Sequence, residues 1–359
     1  MKSGLEDVVA AQTVLSDVDG KNGRLIVRGV SLDDLVATSR YEDVVALLFD
    51  GFLPSPADLR AALGAARVEV FSHLADAAGL MDLSPVEGMR ALLARLADGD
   101  GLVTALELVA APAVFTAGLL RLKTGLAPVA PDPDLSMAAD TLRMAKGALP
   151  TPEQVAALDR YFVTVADHGL NASTFAARVV ASTQAGLTSS VLAALSALKG
   201  PLHGGAPGPV LDMLDCIDSP ANAGQWLEDA LASGERLMGF GHRIYRVRDP
   251  RADALKGAVR ILAASGAIDP ARLALAEAVE AAALDLLKRR KPDRPLDTNV
   301  EFYTALLLEA LGFPRDAFTC VFAMGRVAGW IAHAKEQALD GRLIRPMSLY
   351  VGPVPQVAA

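Results

Sequence analysis

Apolar residues recur along most of this chain at helical spacing, in blocks that proline, glycine and capping residues cut apart. Ser31-Leu-Asp-Asp-Leu places an N-cap before an acidic first turn, and a second start is expected at Ser39, ahead of the apolar face Val44, Val45, Leu47 and Leu48. Leu53-Pro-Ser-Pro56 ends that block, because Pro54 and Pro56 remove donors and restrict their neighbours, and Ala57-Asp58 opens the next helix. Further breaks fall at Leu83-Ser-Pro85, Asp98-Gly-Asp-Gly101, the Pro128–Pro133 loop and Pro150-Thr-Pro152. One stretch departs from the helical period. Asp17-Val-Asp-Gly20 is a turn signal, and Arg24-Leu-Ile-Val-Arg28 has polar ends around an apolar centre, so a short hairpin or strand is expected near the N-terminus.

The same pattern predicts how the helices group. The most apolar run, Gly101 to Leu122, is interrupted by Glu107 and Pro112 and reads as a buried helix pair, not a membrane span. Ala172 to Leu198 is rich in Ala, Ser, Thr and Gly, as two closely packed helices would be, and ends at Lys199-Gly200-Pro201. From about Asp215 to Pro292 the chain is more charged and its helices are expected to be shorter, which marks a smaller lobe. Apolar helix resumes after Val300 and, with a break near Gly312–Pro314, runs through Ala334. The expected division is a large helical domain from 1–206 and 312–359, with 207–311 as a small domain closing over a site and Gly204–Pro209 as a hinge.

Composition agrees with a helical reading. Of 359 residues 52% are hydrophobic, dominated by Ala, Leu and Val, and only 5% aromatic; Ala and Leu are the strongest helix formers. At this length a single core has usually stopped growing, so two lobes are the starting expectation. A net charge of −8 argues against a general nucleic-acid surface. Cys216 and Cys320, far apart, suit a reducing compartment with both as small buried residues. MKSGLEDVVA has no basic segment followed by an apolar run, so no secretory signal is evident and a cytoplasmic location is expected.

Five histidines are present, and three of them adjoin glycine at junctions between blocks. His73 and His333 read as hydrogen-bonded core or surface histidines. His168, His203 and His242 sit where the chain can deliver a side chain into a cleft. His203 lies in Gly200-Pro-Leu-His-Gly-Gly-Ala206, which taken alone is also a fair interhelix turn. His242 lies in Gly239-Phe-Gly-His-Arg-Ile-Tyr-Arg-Val-Arg-Asp-Pro-Arg251, bringing Arg243, Arg246, Arg248 and Arg251 together against Asp249 alone. In an acidic chain that cluster is either a solvated charged loop or an anion site, since guanidinium groups clasp carboxylates and phosphates bidentately. No set of His, Cys, Asp and Glu has metal-ligand spacing.

Taken in order, Ala166-Asp-His-Gly-Leu-Asn-Ala-Ser-Thr174, Gly200–Ala206, Gly239–Arg251, Asn299-Val-Glu-Phe-Tyr303 and Arg326-Val-Ala-Gly-Trp330 resemble the citrate synthase family, and the resemblance runs from Asp17 to Arg345-Pro346. It implies a mostly α, two-domain helical homodimer with a short N-terminal β element. It also implies a Claisen-type condensation of an acyl-CoA with oxaloacetate, followed by thioester hydrolysis that frees CoA. By resemblance Glu301 is the base that takes the α-proton, His203 donates to the thioester carbonyl, and His242 polarises the oxaloacetate carbonyl. His168, Arg251 and Arg326 match the residues that hold oxaloacetate, and Arg345 an arginine that reaches the neighbouring subunit's site. Gly239, Gly241 and Arg246 look like the part that meets CoA. No metal or permanently bound cofactor is implied.

Two positions depart from the family's pattern. Its base is most often an aspartate, and one extra methylene at Glu301 moves the carboxylate by roughly an ångström unless the backbone retreats. A pocket built around Glu, weak activity and a catalytically silent CoA- or dicarboxylate-binding paralogue all stay open, with Asp297 as a distant second candidate one turn away if that stretch is helical. Val165 stands where some members carry another histidine. Between acetyl-CoA and the propionyl-CoA of a 2-methylcitrate synthase the choice rests on pocket walls worth about 1–3 kcal/mol per methylene.

Overall fold

The computed structural model describes residues 3–5, 8–204, 207–242, 244, 245, 247–292 and 296–353. Among the described residues the regular elements are helices except for one small sheet near the N-terminus. Ser16–Asp19 (β1) and Arg24–Val27 (β2) form an antiparallel hairpin with Asp19 opposite Arg24, and Val30–Ser31 (β3) pairs with β2.

The first half of the helices are Leu32–Thr38 (α1), Tyr41–Phe49 (α2), Leu59–Phe71 (α3), Pro85–Leu93 (α4), Leu102–Lys123 (α5), Met137–Lys146 (α6) and Pro152–Val165 (α7). The second half are Ala172–Ala181 (α8), Leu187–Leu198 (α9), Pro207–Ile217 (α10), Ala223–Ala232 (α11), Pro250–Ala264 (α12), Pro270–Arg290 (α13), Val300–Ala310 (α14) and Phe318–Asp340 (α15).

Most starts lie where a short polar side chain meets the orphan N–H groups of a first turn. Ser31, Asp58, Ser136, Thr151, Asn171, Asp249, Asp269 and Asn299 each accept from a backbone N–H two or three residues on. The expected start at Ser39 shifts by one residue: Ser39 closes α1, its N–H donating to the Leu35 carbonyl, and the N-cap of α2 is Arg40. Asp43 captures the Arg40 N–H at 2.8 Å, a role that Ser39 does not fill.

Helices α5 and α15 make the centre of the core. The expected helix pair at 101–122 is one 22-residue helix that carries Pro112 inside it. A mid-helix proline costs about 3 kcal/mol. Burial of α5 on nearly every side, from Ala105 through Leu119, outweighs that cost. Both α5 and α15 are long and apolar enough to cross a membrane, yet they are mostly buried inside this protein. Helices α8 and α9 pack against each other and against α15, as their small residues foretell. Helix α13 corrects another expectation: at 21 residues it is among the longest, not one of a set of short helices. Cys320 is buried, but Cys216 is exposed, because Val210, Leu211, Met213, Leu214 and Ile217 turn the inner stripe of α10 inward and leave position 216 outside.

The Pro128–Pro133 loop is tied down by a fully buried ion pair. Arg67 Nε donates to Asp140 at 2.8 Å, and Arg67 Nη2 donates to the carbonyls of Asp132 (3.0 Å) and Leu135 (2.8 Å). With Nε and Nη2 paired, a charge that would be costly if unpaired becomes a tie between α3, α6 and the loop.

Candidate active site

Helix α14 begins where the chain after α13 pairs briefly with the Gly239–Gly241 segment. Phe240 and Thr298 form an isolated bridge, Gly241 N–H donates to the Asp297 carbonyl at 2.7 Å, and Asn299 N–H donates to the Gly239 carbonyl at 2.9 Å. Both glycines have left-handed backbone, φ +84° and +77°, and a β-carbon on either would press on Phe302 or Leu296. Asn299 then caps α14, its Oδ1 accepting from Glu301 N–H at 3.0 Å, so Glu301 stands in the first helical turn. Asp297 is not one turn away from it on a helix: it precedes the bridge, outside any helix.

Around Glu301 lie two buried arginines. Arg251, in the first turn of α12, is gripped by Asp249, which accepts its Nε at 3.0 Å and its Nη2 at 2.8 Å and also takes the Val300 N–H at 3.2 Å. One carboxylate thereby locks the start of α12 to the start of α14. Arg326, on α15, donates through Nε to the Val165 carbonyl, and its Nη2 has no partner among the described residues although it is buried. Burial lowers the Arg326 guanidinium to about 10. A helix N-terminus and two guanidinium groups would pull the Glu301 carboxyl down, but burial wins and raises it to about 7, with Asp249 adding in the same direction.

The three glycine-adjacent histidines meet on this cluster. His168 is buried and its Nε2 lies 3.1 Å from the Tyr245 hydroxyl, with the His242 ring 5.8 Å away, edge to face. His242 Nδ1 accepts from the N–H groups of Ile244 (3.0 Å) and Tyr245 (3.1 Å). The ring proton of neutral His242 is therefore on Nε2. That Nε2–H faces Arg251 Nη2 at 3.2 Å. Two donors pointed at one another do not satisfy each other; they converge on a place for an acceptor brought by a ligand.

His203 Nε2 lies 2.9 Å from the Ser173 hydroxyl, which also accepts from Trp330 Nε1 at 3.1 Å and donates to Asn171 Oδ1 at 2.7 Å. Burial lowers His203 and His242 to about 4 each, with Arg326 then Arg251 adding for His203 and Arg251 for His242. Burial, followed by the charges of Arg251 and Arg326, holds His168 well below the ordinary histidine range. All three are neutral hydrogen-bonding groups at pH 7.

The sequence pattern missed Ser173, Tyr245, Asp249 and Trp330 as parts of the site, although each lies inside a segment it singled out. Nothing in their spacing marks them, because their importance is a contact made from a distant element. His333 is the buried, hydrogen-bonded histidine expected, between Arg178 Nη1 at 2.9 Å and Asp167. Arg243 and Arg246 lie outside the described residues, as do Gly205 and Ala206 of the expected hinge. Arg345 is exposed on the C-terminal segment 341–353, which is moored by Ile344 N–H to Ser182 Oγ at 3.1 Å. Among the described residues no three His, Cys, Asp or Glu gather as a metal site.

The model of the citrate synthase C-terminal domain matches residues 4–347. The chain belongs to the citrate synthase family. It is 37% identical over 375 residues to the citrate synthase of Haloferax volcanii, spanning 98% of this chain and 96% of that one. It is equally similar, 37% over 369 residues, to a 2-methylcitrate synthase of Mycobacterium tuberculosis, covering 98% of this chain and 91% of the other. Among solved structures, the ternary complex of Thermoplasma acidophilum citrate synthase with carboxymethyl coenzyme A and oxaloacetate superposes with a TM-score of 0.88 at 30% identity, over 99% of this chain and 97% of that one. The fold is that family's all-α fold, and the protein is an enzyme of the citrate synthase type.

Proposed function

We propose that this citrate-synthase-family enzyme condenses acetyl-CoA with oxaloacetate to give citrate and free CoA. The observation that carries the reading is a set of donors aimed at one place: His242 Nε2–H and an N–H of Arg251 Nη2 beyond the one that Asp249 takes face each other, and Arg326 presents a buried Nη2 without a partner among the described residues. Beside them stands Glu301, half ionised near neutral pH. Such a site fits a small dicarboxylate with an electrophilic carbonyl next to a carbon acid.

In this reading Glu301 takes a proton from the acetyl methyl group, and His203 donates to the thioester oxygen as the enol forms. The enol carbon attacks the oxaloacetate carbonyl, whose oxygen draws on His242 Nε2–H and leaves protonated. Water then cleaves the citryl thioester and releases CoA as a thiol. Arg251, Arg326 and His168 hold the dicarboxylate. Arg345 is assigned to the site of a neighbouring subunit in a homodimer, and Gly239, Gly241 and Arg246 to the CoA side. Residues 207–311 are assigned to a small domain that closes over the large one, formed by 1–206 and 312–359. Work in the cytoplasm, feeding a tricarboxylic acid cycle, suits these substrates.

The donor role of His203 places a demand on Ser173. Its Nε2 is taken by the hydroxyl, so Nδ1 is the nitrogen left for the thioester. Nδ1 carries a proton only if Ser173 gives its own to Nε2. Without ligand the hydroxyl donates to Asn171 Oδ1, which also accepts from the N–H groups of Ser173 and Thr174, so turning the hydroxyl to Nε2 leaves that oxygen paired. Ser173→Ala is therefore expected to lower kcat about tenfold with little change in the KM for oxaloacetate, read by steady-state thiol release. An unchanged kcat would remove Ser173 from the mechanism.

The deciding experiment follows free thiol with a chromogenic reagent after mixing purified enzyme, oxaloacetate and either acetyl-CoA or propionyl-CoA. Release with acetyl-CoA at the higher kcat/KM supports the reading, and a preference for propionyl-CoA makes the enzyme a 2-methylcitrate synthase. Oxaloacetate binding without thiol release from either would make it a silent binding paralogue.

A further inference from the structure

The N-terminal hairpin touches both segments that carry the oxaloacetate-side histidines. At its base, Ser16 Oγ accepts the Gly169 N–H at 2.9 Å, next to His168. Gly169 has φ +59°, and a β-carbon there would lie 3.2 Å from Val18 Cγ2. At its tip, a β-carbon on Gly20 would overlap the backbone of Ile244, 2.7 Å from its carbonyl carbon and 2.8 Å from its Cγ2. Gly23 is as tightly fitted, with Val247 Cγ2 at 2.8 Å and the Arg248 carbonyl oxygen at 3.0 Å from the same construction. Asp19 stiffens the turn between them, its carboxylate accepting from Lys21 N–H and Asn22 N–H at 3.1 Å each and from Asn22 Nδ2 at 2.6 Å.

We infer that the hairpin tip is a positioning element of the active site, in which Gly20 and Gly23 seat Ile244, Val247 and Arg248 and thereby orient His242. The inference rests on the condensing-enzyme reading given above for what that orientation does. Its physical basis is the closeness of the contact. Ile244 N–H and Tyr245 N–H are the two donors that hold His242 Nδ1 and so keep the ring proton on Nε2. Moving the Ile244 peptide by a few tenths of an ångström disturbs both bonds. Ile244 and Val247 keep exposed side chains, so the contact buries little apolar surface and adds little to fold stability. Its effect falls on geometry, and under the proposed division it also joins the large domain to the small one, in the segment that meets oxaloacetate.

Gly20→Ala tests this without straining the turn, because Gly20 does not adopt left-handed backbone. The KM for oxaloacetate is expected to rise about tenfold or more with kcat changed much less, as a misplaced binding group requires. Amide exchange at Ile244 and Tyr245 is expected to quicken, while the melting temperature stays near that of the parent. Lys21→Ala, exposed in the same turn, should leave all three unchanged. A folded Gly20→Ala enzyme with KM within twofold of the parent and unaltered exchange at 244 and 245 overturns the inference. Should that variant fail to fold, Gly23→Asn keeps the test open, since asparagine tolerates φ +63°. Its KM defect should then be relieved by Val247→Ala, and a defect that this second change leaves intact also overturns the inference. Failure of the unmodified protein to release thiol counts against the function reading alone, because exchange at 244 and 245 reports on the hairpin without turnover.

Discussion

Glu301→Gln is expected to lower kcat for thiol release by on the order of 10³-fold while oxaloacetate still binds. The amide keeps the shape of the side chain and its place after the Asn299 cap, but it has no basic oxygen. Turnover near that of the parent would sink the assignment of the base, and Asp297, before the start of α14, would have to be tested next. Glu301→Asp keeps a carboxylate and withdraws it by roughly 1 Å, so a loss of about 10²-fold is expected in a pocket built around the longer side chain. The parent enzyme carries its own signature of this base. As the proposed base, Glu301 acts only when ionised, and its carboxyl is raised to about 7. kcat/KM for oxaloacetate, which reports on the free enzyme, should therefore level off above pH 7 and fall about tenfold per unit below it. His203 and His242 are both lowered to about 4, so neither should add a second limb in that range.

The same shift reaches stability. A carboxyl whose folded pKa lies above its ordinary value favours the folded state fully below that ordinary value, and the advantage is lost as pH rises through the folded pKa. Here that window runs from 4.5 to about 7. Glutamine is neutral at every pH. The Gln variant should then melt higher than the parent at pH 8 and close to it near pH 4, measured by calorimetry. An enzyme made more stable by losing its base holds that carboxylate in place for function, not for folding.

How far the site was legible in the sequence depends on what fixes each residue. The hairpin, the caps at Ser31 and Asp58, and the α8–α9 pair rest on local rules, turn chemistry and small-residue packing, and the fold obeys them. Glu301, His203 and His242 become candidates for catalysis only because five motifs in order resemble a family, whereas spacing alone leaves His203 as a fair interhelix turn. Pro112 was misread as a break because a local penalty of about 3 kcal/mol is visible in sequence, while the long-range burial that outweighs it is not. Ser173, Tyr245 and Asp249 stayed hidden for the same reason. Ser173 matters because Trp330 and His203 arrive from α15 and from the turn after α9, and Asp249 because the N–H of Val300, 51 residues on, completes its hold on Arg251. No periodicity records a meeting between distant segments.

Arg326→Gln is expected to weaken oxaloacetate binding by about 10²–10³-fold, in line with the roughly 2–5 kcal/mol lost when one member of a buried charge pair is removed. Arg326 is 1% exposed, one of its nitrogens lacks a partner among the described residues, and burial, with Arg251 adding to it, lowers its guanidinium more than Asp167 and Glu301 raise it. In the ligand-free enzyme this is an unfavourable arrangement. Glutamine removes the charge and can still donate to the Val165 carbonyl, so the variant should melt at or above the parent temperature without ligand. Saturating oxaloacetate should raise the melting temperature of the parent by several degrees and of the variant scarcely at all, since a ligand stabilises only the state it binds. The two effects must run in opposite directions. A variant that loses stability without ligand yet keeps its affinity would make Arg326 a structural residue, and the buried nitrogen would need a partner other than the substrate. Opposite signs would identify the anion that Arg326 awaits as the one the enzyme consumes.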